Sequence, residues 1–154
     1  MFNVILFEPE IPPNTGNIIR LCANMGCDLH LVHPLGFQLD EKKLRRAGLD
    51  YHEFANVTEY QSYQAMLDAL KPKRIFACST KGRTNYVVPN YQDGDTFIFG
   101  PETRGLPDSV LQQFSEDKII RIPMLETSRS INLANSVGII LYEAWRQNDF
   151  AQKS

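Results

Sequence analysis

An α/β fold built on a parallel sheet with helices on its faces is what this chain predicts, on three observations. Short β-branched and aromatic runs alternate with segments of helical period along the sequence, the strand-and-helix grammar of parallel sheets. Two late runs, Thr96–Phe99 and Lys118–Ile122, are stopped by Gly100-Pro101 and by Pro123, so they end at loops and not at hairpins. A helix is expected after each, from near Pro107 and Asp108 in the first case and from about Ser130 to Asn148 in the second. The sheet is therefore Rossmann-like. Ligands of such sheets sit outside the carboxyl ends of the strands, which places the expected site where Gly100, Ile122 and Ser130 converge.

In chain order, Asn3–Phe7 reads as the first strand from its Val, Ile, Leu and Phe, and the proline-rich EPEIPPN that follows reads as a loop. Asn14 stands as the cap of a helix with Ile18, Leu21, Cys22 and Met25 on one face and Gly26 at its close. Arg20 lies beside that face, and on the residues alone it is a surface cation with a packed stem. Asp28–Val32 is a second strand with HPLGF as its exit, and Asp40 caps a short basic helix through Ala47 that Gly48 ends. Next come a short strand at Phe54–Val57 and a helix with Ala65, Met66 and Leu70 inward, stopped by Pro72. Arg74–Cys78 is a strand whose exit, STKGRTNYVVPNYQDGD, is either a functional loop or a loosely ordered excursion. The last helix carries Leu133, Ala134, Val137, Ile140, Leu141, Ala144 and Trp145 in a band wider than one sheet face requires. A core helix fits that band, and so does one that adds a subunit contact through Tyr142 and Trp145.

Composition narrows the function classes. At 154 residues, with ordinary apolar and charged content, the chain is expected to form one domain, 1–154, around one core. No apolar run approaches the ~20 residues that span a bilayer, so no membrane role is expected. The opening MFNVILFEPE has no basic segment before its apolar residues, which makes it a first strand rather than a signal peptide and points to the cytoplasm. Cys22, Cys27 and Cys78 are odd in number and lack CxxC spacing, the pattern of reduced, buried thiols. His30 and His33 flank a strand end with no third ligand nearby, so no metal is expected. A net charge of −2 does not advertise nucleic acid. Local clusters exist at Lys42, Lys43, Arg45 and Arg46, at Lys71, Lys73 and Arg74, and at Lys81 and Arg83; two of them beside the ligand loops would form a basic footprint. The dinucleotide fingerprint GxGxxG, the phosphate loop GxxxxGK[ST] and the nucleophile elbow GxSxG are all missing.

Three segments, in order and in register, carry a resemblance. NTGNIIR (Asn14–Arg20), FGPETRGL (Phe99–Leu106), and IPM followed by SRSINLANSV (Ile122–Val137) resemble the three motifs of the SPOUT methyltransferases. The opening EPEIPPNTGNIIRLCAN and the minimal length look like the branch that methylates the ribose of the anticodon wobble nucleotide of tRNA. The likeness spans nearly the whole chain. It implies a deep C-terminal trefoil knot, which general threading rules would not suggest. It also implies a homodimer with the site completed across an interface formed by the last helix and the helix after Asn14.

The same resemblance implies a pocket for S-adenosyl-L-methionine (AdoMet), with S-adenosyl-L-homocysteine as product, lined by Cys78, Gly100, Ile122, Met124 and Ser130. Arg20, Asn14, Glu102 and Asn132 carry over as the catalytic positions, Arg20 coming from the partner chain and lying nearest the chemistry. The reaction implied is in-line methyl transfer to the 2′-hydroxyl of a wobble cytidine or uridine, with leucine tRNAs expected. Arginine stays protonated in proteins, so clamping the ribose or phosphate and stabilising oxyanion charge suit Arg20 better than taking a proton. Glu102 either acts as the base or holds its loop or the AdoMet amino group. Ala134 and Val137 stand where many relatives have Ser and Ala. With no added RNA-binding domain, the knotted domain itself must grip the anticodon region. A 2′-O-methyltransferase for rRNA or another tRNA position, and a non-catalytic AdoMet- and RNA-binding protein, are the competing readings.

Overall fold

The computed structural model of the chain describes residues 1–152. Its strands are β1 (Asn3–Phe7), β2 (Asp28–Val32), β3 (Val57–Tyr60), β4 (Ile75–Cys78), β5 (Thr84–Asn85), β6 (Thr96–Phe99) and β7 (Ile119–Arg121). All pair in parallel in one sheet, in the order β3-β2-β1-β6-β4-β7-β5. The helices are α1 (Pro12–Met25), α2 (Glu41–Arg46), α3 (Tyr63–Leu70), α4 (Asp108–Leu111) and α5 (Leu133–Gln147).

Period-two alternation along the central strands sorts their side chains into two cores. Val4 and Leu6 of β1 join Phe97 of β6, Ile18 and Cys22 of α1, and Val137 and Leu141 of α5. Ile5 and Phe7 face the other way and join Ile98, Met66 of α3 and Val110 of α4. Both faces of the sheet are thus covered, which is why β1 and β6 read as unbroken apolar runs rather than alternating ones. Each fully buried Leu, Ile or Phe contributes roughly 1.5–3 kcal/mol.

β7 is inserted between β4 and β5, although β5 follows β4 directly in sequence. Cys78 and Thr84 both register against Ile120 from opposite sides, so the segment 79–83 steps across β7. Gly82 allows that crossing, since a Cβ there would come within 2.8 Å of the Ile119 carbonyl oxygen. A loop lying over a later strand is the arrangement that a threaded C-terminus requires. The excursion after β4 is therefore ordered around β7.

Several element bounds differ from the sequence reading. Ile11, not Asn14, occupies the N-cap of α1, with proline at its first positions, where a preset φ and a missing N–H cost nothing. The strand expected at Phe54–Val57 forms at Val57–Tyr60, because β2 pairs with that register and Phe54 packs on the core from a turn. On α3, Met66 is buried but Ala65 is exposed; Tyr63, Leu67 and Leu70 complete the inner face at helical spacing. α5 begins at Leu133, three residues after the expected Ser130, because the Asn132 side chain caps it by accepting from the Asn135 amide. Lys118 closes a short 3₁₀ turn and does not start β7. Cys22 and Cys27 are buried, Cys78 is half-buried, and all three thiols are free.

His30 is a core histidine, 6% exposed. Its Nε2 faces Asn3 Oδ1 at 3.0 Å and its Nδ1 the Tyr60 hydroxyl at 2.9 Å, a pairing complete for the neutral ring. Burial lowers its pKa below the ordinary 6.5. The unfolded chain then binds a proton that the folded one refuses, so this contribution is full above pH 6.5 and is lost as pH falls below it. Urea unfolding between pH 7 and pH 5 is expected to show a fall in stability that His30→Gln flattens; an unchanged slope would remove His30 as its source.

Candidate active site

The carboxyl ends of β4, β6 and β7 open onto one cavity of about 530 Å³. Gly100 and the loop after it, Ile122 and Met124 beyond β7, and Ser130 ahead of α5 all line it, with Cys78 at the end of β4. Asn14, Glu102 and Asn132 also reach it. Eight of the nine singled-out residues therefore lie on one wall system, and Arg20 does not.

The polar residues form a chain linking three loops that are remote in sequence. Asn132 Nδ2 donates to Asn14 Oδ1 at 3.0 Å, and Asn14 Nδ2 donates to Glu102 Oε2 at 3.2 Å. Glu102 accepts the Glu10 amide on Oε1 at 2.8 Å and the Ile11 amide on Oε2 at 2.7 Å. Those amides lie where the backbone enters α1, so Glu102 supplies from another loop the acceptor that the Ile11 cap lacks. Both of its oxygens are engaged in holding the chain at the start of α1. Asn14, 7% exposed, is the middle link.

A reciprocal contact, not foreseen from sequence, doubles the clamp. Glu10 Oε1 accepts the Thr103 amide at 2.9 Å and the Thr103 hydroxyl at 2.7 Å. The Thr103 hydroxyl, then its amide, hold the Glu10 carboxyl below its usual pKa. No local signal could have revealed it, since the partners are 93 positions apart.

Gly100 serves the loop itself. A Cβ on Gly100 would collide with the backbone of Gly105 and Leu106, where the chain folds back and the Gly105 amide reaches the Pro101 carbonyl at 2.8 Å. Gly100→Ala is expected to cost about 1–3 kcal/mol or more, as overpacking does, and to displace the loop wall of the cavity; thermal unfolding checks the first. The Cys78 thiol is pushed up by burial, so it lines the cavity as a neutral apolar group and not as a nucleophile. Among the described residues no cluster of His, Cys, Asp and Glu could hold a metal ion. Lys81, Arg104, Arg121 and Arg129 stand around the cavity; of the expected cluster Lys81 and Arg83, Lys81 lines it and Arg83 does not, and the three arginines were not foreseen.

Arg20 lines a separate cavity with Lys43. Its Nε donates to Glu53 Oε2 at 2.9 Å and its Nη2 to the Gly48 carbonyl at 2.5 Å, so the guanidinium is held in place although half the side chain is exposed.

The model of the SpoU rRNA Methylase family matches residues 1–142. The chain belongs to that family. It is a methyltransferase of the SPOUT class. The tRNA (cytidine(34)-2′-O)-methyltransferase of Methylovorus glucosotrophus is 56% identical over 151 residues, covering 98% of each chain. The Escherichia coli K12 protein of the same name is 58% identical over 147 residues, 96% of this chain and 94% of that one. A solved structure described as giving insights into the 2-OH methylation of C/U34 on tRNA is 43% identical, covers 98% of both chains and superposes with a TM-score of 0.89. AviRb from Streptomyces viridochromogenes, at 22% identity and a TM-score of 0.83, shares the fold. The SpoU family sheet is thus the parallel, helix-flanked one that the sequence predicted.

Proposed function

We propose that this chain transfers a methyl group from AdoMet to the ribose 2′-hydroxyl of a cytidine or uridine at position 34 of tRNA, with leucine tRNAs as expected substrates. The observation that carries the proposal is identity of 56% and 58%, over nearly the full length, to two enzymes named for that reaction. The 530 Å³ cavity has the size and mixed lining of a cofactor pocket, with apolar walls at Ile122, Met124 and Leu133 and hydroxyls at Ser79 and Ser130. Cys78, Gly100, Ile122, Met124 and Ser130 are the residues that would hold AdoMet, which supplies an electrophilic methyl on a sulfonium.

The chain's own residues do the rest. Glu102, Asn14 and Asn132 hold the three loops at fixed separation, so that a bound ribose meets a preorganised wall. Arg20 orients the ribose and its phosphate and stabilises the charge that grows on the 2′-oxygen as its proton leaves. Arg20 stands outside the 530 Å³ cavity of its own chain, which accords with the homodimer the resemblance implies, in which it acts on the cavity of a second copy. α1 and α5 pack together, with Gly138 against Leu21, and their assembly leaves Ile139 and Tyr142 exposed, 37% and 44%, as the apolar surface for that contact. No described helix is long and apolar enough to cross a membrane, and work on tRNA in the cytoplasm accords with that.

The deciding experiment is incorporation of radiolabelled methyl into bulk tRNA followed by nucleotide mapping. Label at the 2′-oxygen of position 34 supports the reading; label in rRNA or at another tRNA position, with position 34 bare, overturns it. Binding of tRNA is expected to weaken steeply between 50 and 200 mM salt, by roughly tenfold or more if a few phosphates are neutralised, as filter binding would measure.

A further inference from the structure

Pro101 to Gly105 form one wall of the 530 Å³ cavity, yet Thr103, Arg104 and Gly105 are exposed on their outer side. Inside the loop, the Arg104 and Gly105 amides share the Pro101 carbonyl. Among the described residues, every hydrogen bond and ion pair of the side chains 102–104 ends on one segment, residues 8–14. Arg104 Nη2 stands 3.4 Å from Glu8 Oε1, and its Nε 3.9 Å from Glu10 Oε2. Thr103 gives both its amide and its hydroxyl to Glu10 Oε1. Glu10 is thus the carboxylate that two consecutive loop residues share.

The segment that carries Glu10 is fixed from its other side. Glu8 turns the chain out of β1 with a left-handed φ of 49°, and its amide donates to the Val32 carbonyl at 3.0 Å. Beneath Glu10, the Gly36 amide donates to the Pro9 carbonyl at 2.9 Å, and a Cβ on Gly36 would lie 2.8 Å from Glu10 Cα. The backbone of Glu10 has no room to yield in that direction, so it is the loop that moves when their contact is lost.

We infer that Glu10 is a positioning residue for the cofactor: its carboxylate, through Thr103, holds the loop 101–105 where that loop walls the AdoMet cavity. The inference rests on the proposed function and deepens it. Two donors on one charged oxygen make bonds of the stronger, charge-assisted kind. Glu102 cannot replace them, because both of its oxygens are engaged. A wall that stands in place for only part of the time weakens apparent affinity by the inverse of that fraction. Bound AdoMet draws the wall back, so the loss falls on affinity and not on the rate at saturation.

Calorimetric AdoMet titration and methyl-transfer kinetics on the full-length enzyme read the two quantities. Glu10→Ala is expected to raise Kd and KM for AdoMet about tenfold, as a wall in place about a tenth of the time would, with kcat within about twofold of wild type. Glu10→Gln keeps an acceptor oxygen for both Thr103 donors and should recover most of the affinity. Thr103→Val keeps the amide bond and should lose about threefold, the worth of one modest hydrogen bond. Added to Glu10→Ala it should lose nothing further, because the pair acts as one contact. A merely structural role would lower the melting temperature and leave Kd of the folded protein unchanged. An unchanged Kd in Glu10→Ala, a Glu10→Gln enzyme as weak as Glu10→Ala, or additive losses in the double variant overturn the assignment. If the wild-type enzyme binds no AdoMet, the proposed function fails and takes the role of Glu10 with it.

Discussion

Arg20→Ala is expected to reduce methyl transfer to tRNA by about 10²–10³-fold, the usual cost of deleting one donor to a developing oxyanion. AdoMet affinity should stay where it is, because Arg20 contributes nothing to the cavity that would hold the cofactor. Single-turnover transfer of labelled methyl and calorimetric AdoMet titration measure the two quantities separately. Arg20→Lys tests the geometry: it keeps the charge but loses the planar fork now spread over Glu53 and Gly48, and should recover only part of the rate. Mixing Arg20→Ala subunits with subunits disabled at Gly100 gives a further check. A dimer whose two copies share each site should regain activity in the mixture, while a chain that uses its own arginine should not. Normal turnover by Arg20→Ala would take the residue out of the mechanism.

Glu102→Ala is the second large effect expected. It strips the acceptor from two amides and from Asn14 Nδ2 at once, and an unpaired donor costs about 1–3 kcal/mol where water cannot replace the lost partner. Ile11 is exposed and its amide can turn to solvent, which leaves the Glu10 amide and the buried Asn14 as the main losses. A fall in melting temperature of several degrees follows, at roughly 2–4 °C per kcal/mol for a chain of this size. Activity should fall further than stability, because the freed loop carries cavity walls, and a shift of about 1 Å can cost about 10²-fold in rate. Glu102→Gln separates clamp from base. It keeps one acceptor oxygen and abolishes proton uptake, so a clamp predicts a partial loss with an unchanged pH–rate profile, and a base predicts a profile that loses its acidic limb.

How much was legible in advance depended on the distance over which the cause acts. The apolar runs of β1, β2 and β6 and the inner faces of α1 and α5 follow from residues within one turn or one strand, and the structure has them nearly where periodicity placed them. β5 is two residues long and exists only because β7 offers it a partner, so nothing in Thr84-Asn85 announced it. Asn14 was misplaced as a cap for a related reason. Its local company, a turn-rich stretch before an apolar period, is that of a cap, while its actual work is done by Glu102 and Asn132, 88 and 118 positions away. Glu53 passed unnoticed, since a glutamate in a loop is ordinary until an arginine is brought against it.

By itself, then, the order of residues determined a parallel α/β sheet, the loops at which its strands stop, and three motifs sufficient to recognise the class. Tertiary structure alone decided that the segment 79–83 is the one that steps across β7, that Glu102 spends both oxygens on the start of α1, and that Glu53 and Gly48 hold the Arg20 guanidinium. The physical reason is range: backbone propensity and side-chain period are set among neighbours, whereas a hydrogen bond that joins residues about a hundred positions apart leaves no mark on either until the chain has closed.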